Sequence, residues 1–134
     1  MTDFVEEWMR NDERESETAV ARFVMMILLN GIKSGAEKIH FERTLEPDSA
    51  TASARMSYEK DGAIKEENDI WPERWEEIVG RLKVMAKMID YGPNKSTDGK
   101  IHVRLSKNRT VEFRMTTNPN PFRDTKVTLE SLDL

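Results

Sequence analysis

Ile101-His102-Val103-Arg104-Leu105-Ser106-Lys107-Asn108-Arg109-Thr110-Val111-Glu112-Phe113-Arg114-Met115 is the stretch that decides the fold. Ile101, Val103 and Leu105 alternate with His102, Arg104 and Ser106. Beyond a tip at residues 107–109, Val111, Phe113 and Met115 alternate with Glu112 and Arg114. A period of two belongs to a strand with one buried face, and two such runs joined by a polar tip predict an antiparallel hairpin. Keeping both apolar sets on one face requires an even register. The register that sets Leu105 across from Val111 also sets Arg104 across from Glu112, a pair contributing at most about 1 kcal/mol.

Upstream, a helix is expected after Trp71. Pro72 costs no hydrogen bond in a first turn, and Glu73, Glu76 and Glu77 suit the positive end of the helix dipole. Trp75, Ile78, Val79, Leu82, Met85, Ala86 and Ile89 recur at spacings of three and four, and Gly92-Pro93 would stop the helix. Trp71 and Trp75 flank its start and are expected to anchor it. Lys38 to Arg43 alternates as a strand with Ile39 and Phe41 on one side. A second strand is expected over residues 51–58, then a tight turn at Asp61-Gly62 and a short return strand over residues 63–66.

Residues 17–36 are apolar around most of a helical circumference, which predicts a helix buried on several sides, with Ser16 as N-cap and Gly35 near its end. Residues 1–16 carry Phe4, Val5, Trp8 and Met9 at helical spacing ahead of a polar stretch, and read as an amphipathic or linker segment. Residues 17–134 then form one domain, closed by a Pro-rich connection at residues 118–122 and a last strand over residues 126–132. Helix, three strands, helix, three strands, linked by hairpins rather than crossovers, is an α+β arrangement: a largely antiparallel sheet with helices packed on one face.

A chain of 134 residues has room for one domain of typical size, roughly 150 residues. Its lack of cysteine removes disulfides, thiol catalysis, thiolate zinc sites and iron-sulfur clusters. A net charge of −4 and a pI near 5.3 disfavour binding of nucleic acid over the whole surface. The longest strongly apolar run, residues 23–29, is far short of the about twenty residues of a membrane span. A cytoplasmic location is the default expectation. Charge is nonetheless uneven: residues 1–20 hold seven acids against two arginines, while residues 100–126 hold seven cations against two acids.

Little in the sequence promises catalysis. His40 and His102 both fall in expected strands with no second histidine at metal-ligand spacing, so no metal site is expected. No Gly-x-Ser-x-Gly turn is present. Asn94-Lys95-Ser96-Thr97 has the Lys-Ser of a phosphate-binding loop, but it follows a helix, leads into a strand and lacks the glycines. The eight methionines fall mostly on expected inward faces and read as core filling.

Taken in order, several stretches resemble the second amino-terminal domain of the type II secretion and type IV pilus assembly ATPases. Gly31-Ile32-Lys33-Ser34-Gly35-Ala36-Glu37-Lys38-Ile39-His40-Phe41-Glu42 is similar to that family's "A-I-x-x-G-A-S-D-I-H-I-E". Tyr58-Glu59-Lys60-Asp61-Gly62-Ala63-Ile64 resembles its "x-R-I-D-G-V-L" hairpin, and Arg81-Leu82-Lys83-Val84-Met85-Ala86-Lys87-Met88-Ile89-Asp90 its "R-I-K-V-M-A-x-L-D-I" helix. Asp98-Gly99-Lys100-Ile101 resembles "Q-D-G-R-I". Val111-Glu112-Phe113-Arg114-Met115-Thr116-Thr117-Asn118-Pro119 is similar to "V-D-L-R-V-S-T-L-P", with Lys126-Val127-Thr128-Leu129 following as in "G-E-K-V-V-L-R". Each motif alone is weak, whereas their order and spacing over residues 17–133 are specific.

The resemblance implies an α+β, PAS-like module lying above a RecA-like ATPase domain in a cytoplasmic hexameric ring, with arginines that reach toward nucleotide phosphates. Here Ser57 and Glu59 stand where the family's hairpin supplies arginines, Arg55 is displaced by two positions, Lys100 replaces the arginine of the turn, and Glu130 that of the last strand. Arg114 alone matches. A lysine keeps the charge but loses the planar fork, and a glutamate repels phosphate.

The resemblance therefore favours a non-catalytic protein-interaction domain without a cofactor, whose partner is a secretion or pilus ATPase or its hexamer. Arg114, Arg104, His102, Lys100 and Arg55 are the candidate phosphate or partner contacts. Two other readings stay open: a chaperone-like binder of peptides or effectors, and a small-molecule phosphate binder using the basic carboxy-terminal hairpin.

Overall fold

The structure is a computed structural model that describes residues 15–44, 53–89, 97–118 and 125–132. Helix α1 (Glu15–Ser34) leads into β1 (Lys38–Arg43), β2 (Ala54–Lys60) and β3 (Ala63–Ile70). A 3-10 turn (Pro72–Arg74) and α2 (Trp75–Met85) follow, then β4 (Asp98–Ser106), β5 (Arg109–Thr117) and β6 (Lys126–Ser131). All neighbouring strands are antiparallel, in the order β3-β2-β1-β6-β5-β4. The α+β class and the expected order of elements hold. The amphipathic segment up to residue 14, the turn at residues 45–49, the Gly92-Pro93 stop and most of the loops at 94–97 and 118–122 lie outside the described residues.

Alternation puts Ile39, Phe41, Met56, Tyr58, Ile101, Val103, Val111, Phe113, Met115, Val127 and Leu129 on one side of the sheet, where all are buried. The helices cover that side. Val20, Val24, Ile27 and Leu28 of α1 and Trp75, Ile78, Val79 and Leu82 of α2 complete the same core. The burial of α1 is less complete than its composition predicts, because Met26 remains 46% exposed. The helix already includes Glu15, so Ser16 lies within it rather than at its cap.

The expected hairpin register is corrected by two residues. Val103, not Leu105, lies across from Val111, and Glu112 faces His102 while Arg104 faces Thr110. The cause is the tightness of the turn. A tip of only Lys107 and Asn108 pairs Ser106 with Arg109, a register that, carried onward, would set Val103 against Glu112. One extra residue on β4, Leu105, forms a bulge and restores the phase. The β2–β3 hairpin uses the same device. Asp61 (φ 55°) and Gly62 (φ 76°) make the expected tight turn, and a bulge that skips Lys65 brings Ile70 across from Ala54 on the helix side. Strand β3 runs on to Ile70 rather than stopping at residue 66. Its polar sequence hides it, because it is an edge strand exposed along nearly its whole length.

Helix α2 ends at Met85, earlier than the apolar stripe predicts, and Ile89 lies beyond it, 46% exposed. Both helices stop in the same way. Gly35 N–H donates to Ile32 O (3.1 Å) and Ala36 N–H to Gly31 O (2.9 Å). Lys87 N–H donates to Val84 O (3.1 Å) and Met88 N–H to Lys83 O (3.0 Å). The left-handed residue is Gly35 (φ 74°) in one case and Lys87 (φ 56°) in the other. Trp75 is fully buried as expected, but Trp71 is 55% exposed and rests against the Phe23 ring at 5.2 Å, so only Trp75 anchors the core.

The joint between α1 and the sheet is polar as well as apolar. Tyr58 Oη donates to Ile27 O of α1 (2.8 Å) inside the core, and burial, assisted by Glu66, pushes its phenol up to about 12.

Two outcomes are expected. Lys87→Gly relieves a left-handed side chain and raises stability by about 0.5–1 kcal/mol in urea denaturation. Tyr58→Phe removes a buried hydrogen bond and costs about 1 kcal/mol at neutral pH. Because the native phenol titrates above the unfolded one, the parent chain keeps this contribution below pH 10 and loses it as pH rises toward 12, a decline that pH-dependent melting finds smaller in the variant.

Candidate functional site

The period that sends apolar side chains to the helices sends every second residue to the opposite face, which no described helix covers. Lys38, His40 and Glu42 of β1, Arg55, Ser57 and Glu59 of β2, Lys100, His102 and Arg104 of β4, Glu112, Arg114 and Thr116 of β5, and Lys126, Thr128 and Glu130 of β6 share it.

Its centre is internally satisfied. His40, with a side chain 14% exposed, lies 3.0 Å from Glu59 Oε1 through Nε2 and 3.5 Å from Thr128 Oγ1 through Nδ1. Hydroxyl, imidazole and carboxylate in sequence are the parts of a hydrolase triad, but here they lie on the open surface of a sheet. The backbone N–H groups of these central strands are committed to the ladder, so they cannot form the pocket of donors that an oxyanion needs. The arrangement ties β2, β1 and β6 together. Lys126 Nζ lies 3.8 Å from Glu42 Oε1, and Arg55 donates to Glu67 at 2.5 Å.

The cationic end lies at β4 and β5. There the structure brings together four of the five candidate residues: Lys100, His102, Arg104 and Arg114. Lys100 sits directly across from Arg114, and neither has an ion pair among the described residues. Like charges directly opposed on a sheet are unfavourable, and nothing in the fold requires this pair. His102 Nδ1 lies 3.2 Å from Glu112 Oε1, while Arg104 Nε donates to Ser106 O at 3.3 Å. Arg55 does not join them. It stands on β2, three strands from β5 and so about 14 Å away at ordinary strand spacing.

Two features of the face were hidden from sequence reasoning. One is the cluster of His40, Glu59 and Thr128, drawn from three strands. The other is the position of Glu130, directly across from Arg114 and on its other side from Lys100. Both depend on strand order, which the alternation of a single strand does not encode.

On the helix side, an apolar cleft of about 300 Å³ lies between the start of α1 and the 3-10 turn, walled by Val20, Phe23, Trp71 and Ile78 with Glu73 and Arg74 at its rim. No group of three or more His, Asp or Glu residues able to hold a metal occurs among the described residues. No helix among them is long and apolar enough to cross a membrane.

Comparison with known proteins agrees with the motif order. The chain is 32% identical over 117 residues to the type IV pilus assembly ATPase PilB of Pseudomonas aeruginosa, an alignment covering 87% of this chain and 19% of that protein. It is 27% identical over 122 residues to PilB of Acinetobacter baylyi, covering 91% of this chain and 20% of the relative. The chain thus spans about a fifth of the length of the curated relatives it matches. The family described as type II/IV secretion system protein matches residues 13–133, and the chain belongs to it, corresponding to an N-terminal domain of the secretion ATPases.

Proposed function

We propose that this chain works in the cytoplasm by protein contact, without catalysing a reaction itself, and that its partner is a type II or type IV secretion or pilus ATPase. The contact surface in this reading is the cationic end of the helix-free face, with Lys100, Arg104 and Arg114 meeting carboxylates of the partner and His102 beside them. The supporting observation is the opposition of Lys100 and Arg114, two exposed cations held side by side without a partner among the described residues. An acidic partner surface would relieve their mutual repulsion on binding. Arg55, bonded to Glu67, stands outside this surface.

Binding of a small phosphorylated molecule is the weaker reading for the same residues. Glu130 flanks Arg114 directly, and its carboxylate opposes a triphosphate approaching that guanidinium.

Two measurements test this function. The double variant Lys100→Glu/Arg114→Glu should weaken binding to a purified full-length secretion or pilus ATPase from the same cells at least tenfold by calorimetry, with its melting temperature within a few degrees of the parent. Unchanged affinity removes this surface from the contact. ATP at millimolar concentration should leave the melting temperature of the purified chain unmoved and undergo no hydrolysis above a buffer control. A rise of several degrees would instead establish a nucleotide site.

A further inference from the structure

The two free edges of the sheet carry opposite charge. Edge strand β3 holds Glu66, Glu67 and Asp69 against Lys65, and seven of its eight residues are exposed. Edge strand β4 holds Lys100, Arg104 and His102 against Asp98. Among the described residues, both edges present backbone N–H and C=O groups that no strand pairs. Their lengths match closely, at eight and nine residues. The bulges that blunt them lie toward the hairpin tips, so residues 66–70 and 98–104 keep a regular pleat.

Strand direction adds a second match. Successive neighbours across the sheet are all antiparallel, so β3 and β4, separated by four strands, run in opposite directions. A second copy placed beside the first in the same orientation would therefore meet it in an antiparallel pairing, with the helices of both copies on one side.

We propose that this chain associates with further copies of itself head to tail, the acidic β3 edge of one copy pairing with the basic β4 edge of the next. In the register that sets Asp69 of one copy across from Lys100 of its neighbour, Glu67 lies across from His102 and diagonal to Arg104 on the helix-free side. The two edges are different surfaces, so the contact is heterologous and does not close at two copies. It buries little area, and the association is accordingly weak. The inference is independent of the ATPase partner, because it is read on the purified chain alone.

Analytical ultracentrifugation of the full chain up to several hundred micromolar tests it. The expected result is an average mass that climbs with concentration past that of a dimer, with apparent affinity falling at least about tenfold between 50 and 500 mM salt. Lys100→Glu/Arg104→Glu should be monomeric, as should Glu67→Lys/Asp69→Lys. An equal mixture of the two should assemble again, since each then offers the other an edge of opposite charge. A parent chain that stays monomeric, a mass that levels at a dimer, or a mixture that fails to recover association while both variants keep the parental circular dichroism spectrum overturns the proposal.

Discussion

A sheet covered by helices on one side tolerates no error of phase, because a slip of one residue sends every apolar side chain of a strand into water. Six strands must agree, and the two outermost hairpins are where agreement is hardest to reach. Both are closed by two-residue turns whose natural pairing is out of phase with the core, and both are corrected by one supernumerary residue, Lys65 in β3 and Leu105 in β4. The remaining architecture follows from that correction. Ile70 and Val103 are buried because of it.

The helices are fixed to this sheet by close approach as much as by apolar area. A side-chain carbon on Gly31 would come within 2.7 Å of Ile39 Cδ1, and one on Gly99 within 2.8 Å of the Ala86 carbonyl oxygen. Glycine at these two positions lets α1 lie against β1 and lets the end of α2 meet the start of β4. With Tyr58 bonded to the α1 backbone, the helix layer is located at both ends of the sheet. That rigidity leaves the opposite face as a fixed array of charges rather than an adaptable surface.

Much of the fold was legible in the residues because its central strands bury one face and therefore alternate. Lys38–Arg43 and the β4–β5 pair carry the period of two openly, and the stripe from Trp75 to Leu82 carries the helical period. Strand β3 was legible only as a short return over residues 63–66, since an edge strand exposed on both sides has no apolar period to mark how far it runs. The register of the β4–β5 hairpin was misread because alternation constrains parity alone, and turn tightness chose among even registers through a bulge. The end of α2 was set by backbone hydrogen bonding at Lys87, a residue with no local signature of a left-handed conformation. Of the site, the grouping on one hairpin was readable. The distance of Arg55 and the intrusion of Glu130 beside Arg114 were not, because both depend on the order in which strands lie side by side.

The row that crosses the sheet from Lys100 through Arg114, Glu130 and Lys38 to Glu59 has a further meaning for recognition. Seen from several nanometres, its opposite signs largely cancel, so the face exerts little pull on a distant molecule. Close in, the gradient from the basic end to the acidic end exerts a torque on any charged surface lying over it. Such a face selects by alignment after collision, and its discrimination between partners should reside in how long they stay rather than how fast they arrive.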